Sequence, residues 1–213
     1  MTAKHDQYRR KAEGWSEHEY ADGAAYLDRR AQVVVELGPP LLPGDEVLDL
    51  ACGDGGLGAH LLRRGLRYRG VDATPEMVVA AQRALGQSAV VEEGDLDAYA
   101  PPGPVAATTV FRAIYYARDR RAFFERVTGF TTTKLVFDLN PRQYRMTDVL
   151  ADLRSAGFDR VAVRPFFVPQ RVALPRVASA LLRGIERTGP LARLVLRARF
   201  TYLVAAWRSV DHT

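Results

Sequence analysis

Val47-Leu48-Asp49-Leu50-Ala51-Cys52-Gly53-Asp54-Gly55-Gly56-Leu57-Gly58 runs from an apolar strand straight into a cluster of glycines, and its reading decides the fold. Residues 46–51 are short and apolar, the turn follows at once, and residues 56–64 carry helical spacing. Gly53, Gly55 and Gly58 satisfy G-x-G-x-x-G, a pattern that carries information only when it joins a strand to a helix. Glycine takes positive φ freely and lets the backbone approach a ligand closely. The next strand, residues 67–72, ends in Asp72, 19 residues beyond Gly53. A carboxylate so placed can accept two ribose hydroxyls. Turn and acid together imply a nucleotide cofactor, where a tight turn and a solvated strand-end acid would be the structural alternative.

Working outward, Thr74-Pro75-Glu76 supplies an N-cap and a first-turn proline for a helix. Strands are expected at 89–93, 105–111 and 134–139, with a helix at 118–127 before the last of these and another through 147–156 that ends at Gly157. Two further strands follow at 160–167 and 200–208. On the N-terminal side, Ser16 and Glu19 form a capping-box pattern, and a helix over 17–37 is stopped by Gly38-Pro39-Pro40. A βαβαβ start requires right-handed crossovers and so a parallel, doubly wound α/β sheet. Ligands then bind beyond the carboxyl ends of the strands, beside the first one. The organisation expected is one domain over 1–213: an N-terminal helical cap (1–43), a cofactor-binding core (44–168), a basic helical insertion (169–199), and a last strand with its tail (200–213).

The 213 residues are 47% hydrophobic and 26% charged, the balance of a globule with a sizeable core. That excludes a disordered chain, collagen and a disulfide scaffold. No run approaches the ~18 apolar residues of a spanning helix, and the polar N-terminus has no apolar signal core, so a cytoplasmic protein is expected. Cys52 is the only cysteine, and His5, His18, His60 and His212 are scattered without metal-ligand spacing, so no metal site is expected. The net charge of +5 is localised: residues 173–199 hold Arg176, Arg183, Arg187, Arg193, Arg197 and Arg199 against Glu186, and the rest of the chain balances. A general nucleic-acid binder spreads its basic charge over a wider face, which argues against that partner.

Asp49 narrows the cofactor. A carboxylate in the strand just before the turn repels a pyrophosphate and attracts a cation. S-adenosylmethionine carries an ammonium and a sulfonium and no phosphate, and acids recur along its path at Asp49, Asp72 and Asp95. These segments resemble the class I, Rossmann-like S-adenosylmethionine-dependent methyltransferases. VLDLACGDGGLG is similar to the first motif of that family, GVDATPEM to its acidic second-strand motif, and EEGDLDAY to its adenine-contacting third. The resemblance extends over roughly 45–208 and departs at Ala51, where the first glycine of the family's turn often stands. It implies a mostly parallel seven-stranded sheet whose last strand is antiparallel. It also implies that Asp49, Ala51, Gly53 and Gly55 hold the methionine end, Asp72 and Ala73 the ribose, and Asp95 and Leu96 the adenine, with Phe111 and Arg112 completing the cofactor set.

The acceptor is less legible. Val110-Phe111-Arg112-Ala113 lacks the Asn/Asp-Pro-Pro-aromatic motif with which family members methylate base amino groups. Cys52 is committed to the turn, Lys134 is the only sheet lysine for a two-lysine ribose enzyme, and Arg112 stands where metal-dependent catechol-type enzymes want an acid. A small-molecule or lipid-like acceptor is therefore expected rather than nucleic acid. Tyr115 and Tyr116 are the catalytic candidates, although two adjacent tyrosines can also simply pack on the next helix. Asn140 and Arg142 are substrate candidates, or else a helix-capping turn. His18 is a base candidate through the family's habit of covering the site with its N-terminal helix; as a surface helix histidine it would have no role.

In the insertion, Val177, Leu181 and Ile185 recur at helical spacing with Arg176, Arg183 and Arg187 toward another face, and Leu191, Leu194, Val195 and Ala198 repeat the pattern opposite Arg193 and Arg197. Such a basic amphipathic pair can lie on an anionic membrane, shape an acceptor pocket, or pack on the core with a solvated basic face. The reading is a methyltransferase. Its rivals are a nicotinamide-dependent oxidoreductase, which shares the glycine pattern, and a non-catalytic cofactor-binding protein associated with membranes.

Overall fold

The computed structural model describes residues 23–140, 142–167, 176–186 and 200–209. The elements in chain order are α1 (Gly23–Glu36), β1 (Glu46–Leu50), α2 (Gly56–Leu62), β2 (Arg67–Asp72), α3 (Pro75–Leu85), β3 (Val90–Glu93), β4 (Val105–Val110), α4 (Arg120–Thr128), β5 (Thr131–Leu139), α5 (Met146–Ser155), β6 (Arg160–Phe167), α6 (Arg176–Glu186) and β7 (Phe200–Trp207). The strands form one seven-stranded sheet in the order β3-β2-β1-β4-β5-β7-β6. β1 pairs in parallel with β2 on one side and β4 on the other, which makes its carboxyl end the point where the sheet reverses its direction of growth. β7 is antiparallel to both β5 and β6, as the family resemblance implied.

Alternation along the strands divides the core into two layers. Leu48, Leu50, Val110, Leu135, Phe137 and Leu139 face α4 and α5 through Phe123, Phe124, Val127, Val149 and Leu153. Val47, Ala107 and Val136 face the opposite way, against Tyr26, Leu27, Val33 and Val34 of α1 and Val78, Ala81 and Leu85 of α3. On this second face Lys134 of β5 is fully buried, and its Nζ donates to the carbonyl oxygens of Val35 (3.0 Å) and Leu37 (2.8 Å). The ammonium thus takes the Leu37 carbonyl and shares the Val35 carbonyl with the Leu41 amide beyond the end of α1. Burial lowers its pKa to about 8, with Asp45 opposing the shift. Lys134 is therefore a helix anchor at the end of the sheet remote from the strand-end crevice.

Element ends differ from expectation for local reasons. α4 starts at Arg120 and not at 118 because the Asp119 carboxylate accepts the amide of Ala122 at 3.0 Å and caps the helix there. β5 starts at Thr131, three residues early: its β-branched run pairs with Val105, and the hydroxyls of Thr108 and Thr131 meet at 2.6 Å. Ser16, Glu19, His18 and the second apolar repeat at 191–198 lie outside the described residues. Among the described residues no helix is long and apolar enough to cross a membrane, and no group of three or more His, Cys, Asp or Glu residues is placed to hold a metal.

Candidate functional site

A cavity of about 400 Å³ opens beyond the carboxyl ends of β1, β2 and β4. The glycine segment builds its floor. Cys52 continues the ladder by donating its amide to Val71, and the chain then turns through Ala51 (φ 62°), Gly53 (φ 59°) and Gly55 (φ 77°). The glycines do different jobs. A Cβ at Gly53 would meet nothing within 4 Å and would project into open space, whereas at Gly55 it would lie 2.9 Å from Leu85 Cδ1 and at Gly58 2.7 Å from the Tyr68 ring. Gly53 keeps a cradle clear; Gly55 and Gly58 let α2 settle against α3 and β2.

The amides of this turn are already engaged. Gly53 N–H donates to Asp72 Oδ2 (2.9 Å), Gly55 N–H to Cys52 O (3.2 Å) and Gly56 N–H to Asp54 Oδ1 (3.2 Å). Asp72 Oδ1 accepts the amide of Thr74 at 2.9 Å, so the strand-end acid links the turn to the start of α3. In a dinucleotide site these backbone donors would face the pyrophosphate; here the carboxylates of Asp72 and Asp54 and the Cys52 carbonyl take them.

Asp49 is buried on the α1 side of β1. Tyr68 Oη donates to its Oδ2 at 2.8 Å and Thr109 Oγ1 to its Oδ1 at 2.6 Å. Burial raises its pKa to about 6, against the lowering effect of those two hydroxyls and of Arg30. At neutral pH it is a carboxylate facing the cavity. The Cys52 thiol is pushed up by burial and by the charges of Asp49 and Asp72, which leaves it an inert wall residue.

Arg30 is the group that sequence reasoning missed. It is only 5% exposed, yet it lines the cavity, with its guanidinium 4.5 Å from the ring centroids of both Tyr26 and Phe111. Its charge acts on both Asp49 and Asp138. A signal was available: in α1 it sits among Tyr26, Leu27, Ala31, Val33 and Val34, on the face that turns inward. α1 is held in register from outside the cavity, by Asp28 with His60 (3.1 Å) and Arg64 (3.0 Å) of the α2 region and by Lys134.

The third wall is the loop after β3. Asp95 Oδ1 accepts the Asp97 amide at 2.7 Å, Arg118 bridges to Asp95 and Asp97, and Arg126 of α4 donates to the carbonyls of Leu96 and Tyr99. On the fourth, Arg112 takes φ 55°, and its amide donates to Asp138 Oδ1 at 2.6 Å. A non-glycine residue in that region marks a turn held by its surroundings. Burial raises the Asp138 pKa, and its carboxylate is committed to holding this turn.

Asp49, Ala51, Gly53, Asp72, Ala73, Asp95, Leu96, Phe111, Arg112 and Tyr116 all line the cavity, together with Arg30, Leu27, Met77 and Asp97. Gly55 does not, for the packing reason given. Tyr115 stands outside, its ring 4.4 Å from that of Tyr116, and both rings are partly exposed. Asn140 and Arg142 are not among the lining residues either: Asn140 Oδ1 accepts the Arg142 amide at 3.0 Å, closing the turn before α5.

Residues 47–133 match a family model described as a methyltransferase domain. An uncharacterized methyltransferase of Schizosaccharomyces pombe is 39% identical over 81 residues, 38% of this chain, and the match spans 30% of that protein's length. Two solved structures share the fold. One is a Haloferax volcanii methyltransferase in complex with the Trm112 methyltransferase activator (TM-score 0.67, 18% identity, 98% of this chain and 100% of that one). The other is the magnesium protoporphyrin IX methyltransferase of Synechocystis PCC 6803 with bound SAM (TM-score 0.61, 19% identity, 87% and 79%).

Proposed function

We propose that the chain is a class I S-adenosylmethionine-dependent methyltransferase, a reading that its matched segment and fold support, and that it transfers a methyl group to a small-molecule or lipid-like acceptor. The observation that carries this reading is the inward turn of the glycine-loop amides onto Asp54 and Asp72, with Asp49 behind them. That arrangement repels a pyrophosphate and suits a cation, which disfavours the nicotinamide rival.

The residues fit the cofactor end to end. Asp49, braced by Tyr68 and Thr109, faces its ammonium, and the Arg30 guanidinium beside it takes the carboxylate. Gly53 leaves room for the chain between them. Asp72, whose oxygens accept the Gly53 and Thr74 amides at the end of β2, lines the cavity where the ribose hydroxyls lie. Asp95 and Leu96 flank the adenine, with Ala73 and Met77 beside them. When bound, the cofactor supplies an electrophilic methyl on a sulfonium.

The protein's part is alignment, for which correct placement alone supplies roughly 7–11 kcal/mol of a barrier. Phe111, Arg112 and Tyr116 form the wall on the acceptor side, and the Tyr116 hydroxyl is the group we assign to orient the acceptor by a hydrogen bond. Tyr115 supports its ring. A general base is required only where the acceptor atom carries a proton that must leave.

Calorimetric titration with S-adenosylmethionine, S-adenosylhomocysteine and NAD tests the assignment. Micromolar binding of both adenosyl ligands, absent for NAD and lost in Asp72→Ala, is expected. NAD binding alone would sink it.

A further inference from the structure

The unbalanced charge of the chain has a defined place in the fold. β6 and β7 are antiparallel, with Phe167 opposite Phe200, and Leu139 at the end of β5 stands opposite Tyr202. The chain therefore leaves β6 and enters β7 at the same edge of the sheet at which β1, β4 and β5 end, the edge over which the cavity opens. The segment between those points holds the six arginines and one glutamate of residues 173–199.

Within that segment α6 packs against β6. Val177, Ala180, Leu181 and Gly184 are all exposed, Val177 at 73% and Leu181 at 65%. Their spacing of i, i+3, i+4 and i+7 makes one uncharged stripe along one helix face. The sequence of α6 also carries Arg176 and Arg183 against Glu186. Elsewhere the same edge offers the half-exposed rings of Tyr115 and Tyr116.

A bare apolar stripe in a segment of net positive charge suits a surface that is apolar inside and anionic outside. Nucleic acid would use the arginines and leave Val177 and Leu181 in water. A second copy of this chain would bring two positive segments together.

We propose that α6 is an interfacial helix that seats the carboxyl edge of the sheet on an anionic lipid bilayer, so that the acceptor enters the site from the membrane. The proposal rests on the methyltransferase reading and names the source of its acceptor. Val177 and Leu181 enter the acyl boundary, and the net positive charge of the segment draws it to anionic headgroups.

The test is co-sedimentation of the full chain with phosphatidylcholine vesicles that do or do not contain phosphatidylglycerol. Binding is expected only with phosphatidylglycerol present. It is expected to weaken as salt rises from about 0.1 M to about 1 M, over which the screening length falls from about 10 Å to about 3 Å. The double variant Val177→Asp/Leu181→Asp is expected to lose about tenfold or more in vesicle partition, while its S-adenosylhomocysteine binding by calorimetry is unchanged. Vesicle binding that the double variant retains, or that a single-stranded oligonucleotide reproduces with equal affinity in both proteins, would reduce the segment to a charge patch and overturn the proposal. Adenosyl-ligand binding without vesicle binding overturns this inference alone, whereas vesicle binding without adenosyl-ligand binding overturns the functional reading beneath it.

Discussion

The two sides of the cavity are built on different principles. On the β1–β2–β3 side the recognition groups are strand-end acids and backbone: Asp49, Asp72 and Asp95, each fixed by hydrogen bonds to nearby amides or hydroxyls. On the β4–β5 side they are arginine and tyrosine side chains on a turn that Asp138 holds in place. The first side is acidic and rigid, and suits a cofactor whose charge does not vary. The second is basic, aromatic and partly exposed, and its ligand is set by side chains that change without disturbing the sheet. A fixed reagent on one wall and a variable acceptor on the other is how one fold serves many substrates.

The largest test of the contrast is Asp49→Asn. Burial raises the Asp49 pKa from 3.8 to about 6, so the folded state holds a proton that the unfolded state has released between about pH 4 and 6. Stability therefore falls as pH rises through that window, and the ionised group costs up to about 3 kcal/mol above it. The asparagine variant is expected to unfold at higher denaturant than the parent at pH 7, since the Thr109 hydroxyl can turn from the carboxylate toward Leu48 O, 3.5 Å away. Its adenosyl-ligand affinity is expected to fall about a hundredfold or more, as happens when one member of a buried charge pair is removed. In the parent, affinity is expected to drop by up to about tenfold per pH unit below pH ~6 as Asp49 protonates. A stabilised variant that still binds would place the ammonium elsewhere.

The same division explains what the sequence reveals. Three motifs in order expose the acidic side because its residues are local: a turn, a strand end and a loop, each within a few positions of a glycine. The seven strands follow from apolar runs between turn residues. What brings Tyr68, Thr109 and Arg30 around Asp49 is cross-strand and helix-to-sheet contact, 19, 60 and 19 residues away along the chain, and no local pattern encodes it. Lys134 is similar. Its position in an alternating strand faces it toward α1, but only the end of that helix, 97 and 99 residues earlier, supplies the carbonyls that hold it. Asn140 and Arg142 read equally as substrate contacts or as a helix-capping turn, because both use the same residue types just after a strand end, and the structure shows the turn.

A smaller effect separates the two tyrosines. Tyr116 lines the cavity and Tyr115 backs it. Tyr116→Ala is expected to weaken S-adenosylhomocysteine binding by about three- to tenfold, the loss of roughly 1 kcal/mol of aromatic contact, and Tyr115→Ala to leave it within about twofold. Calorimetry on both variants checks this. Equal losses would mean that the pair acts as one stacked unit and that the acceptor wall begins farther out, at Tyr115.

The smallest expected effect tests whether the turn's departure from glycine is tolerated strain or a contact. Ala51 holds φ 62°, a conformation that costs an L-residue roughly 1–2 kcal/mol and glycine almost nothing. Glycine in turn loses about 0.4–1 kcal/mol through the greater freedom of the unfolded chain. The two terms leave Ala51→Gly more stable by about 0.5 kcal/mol, a rise of ~1–2 °C in Tm for a chain of this length. If the methyl group only strains the backbone, thermal denaturation shows that gain and adenosyl-ligand affinity stays the same. If affinity falls, the Ala51 methyl touches the ligand, and the acidic side of the cavity depends on a side chain where the contrast between its two walls assigns it to backbone.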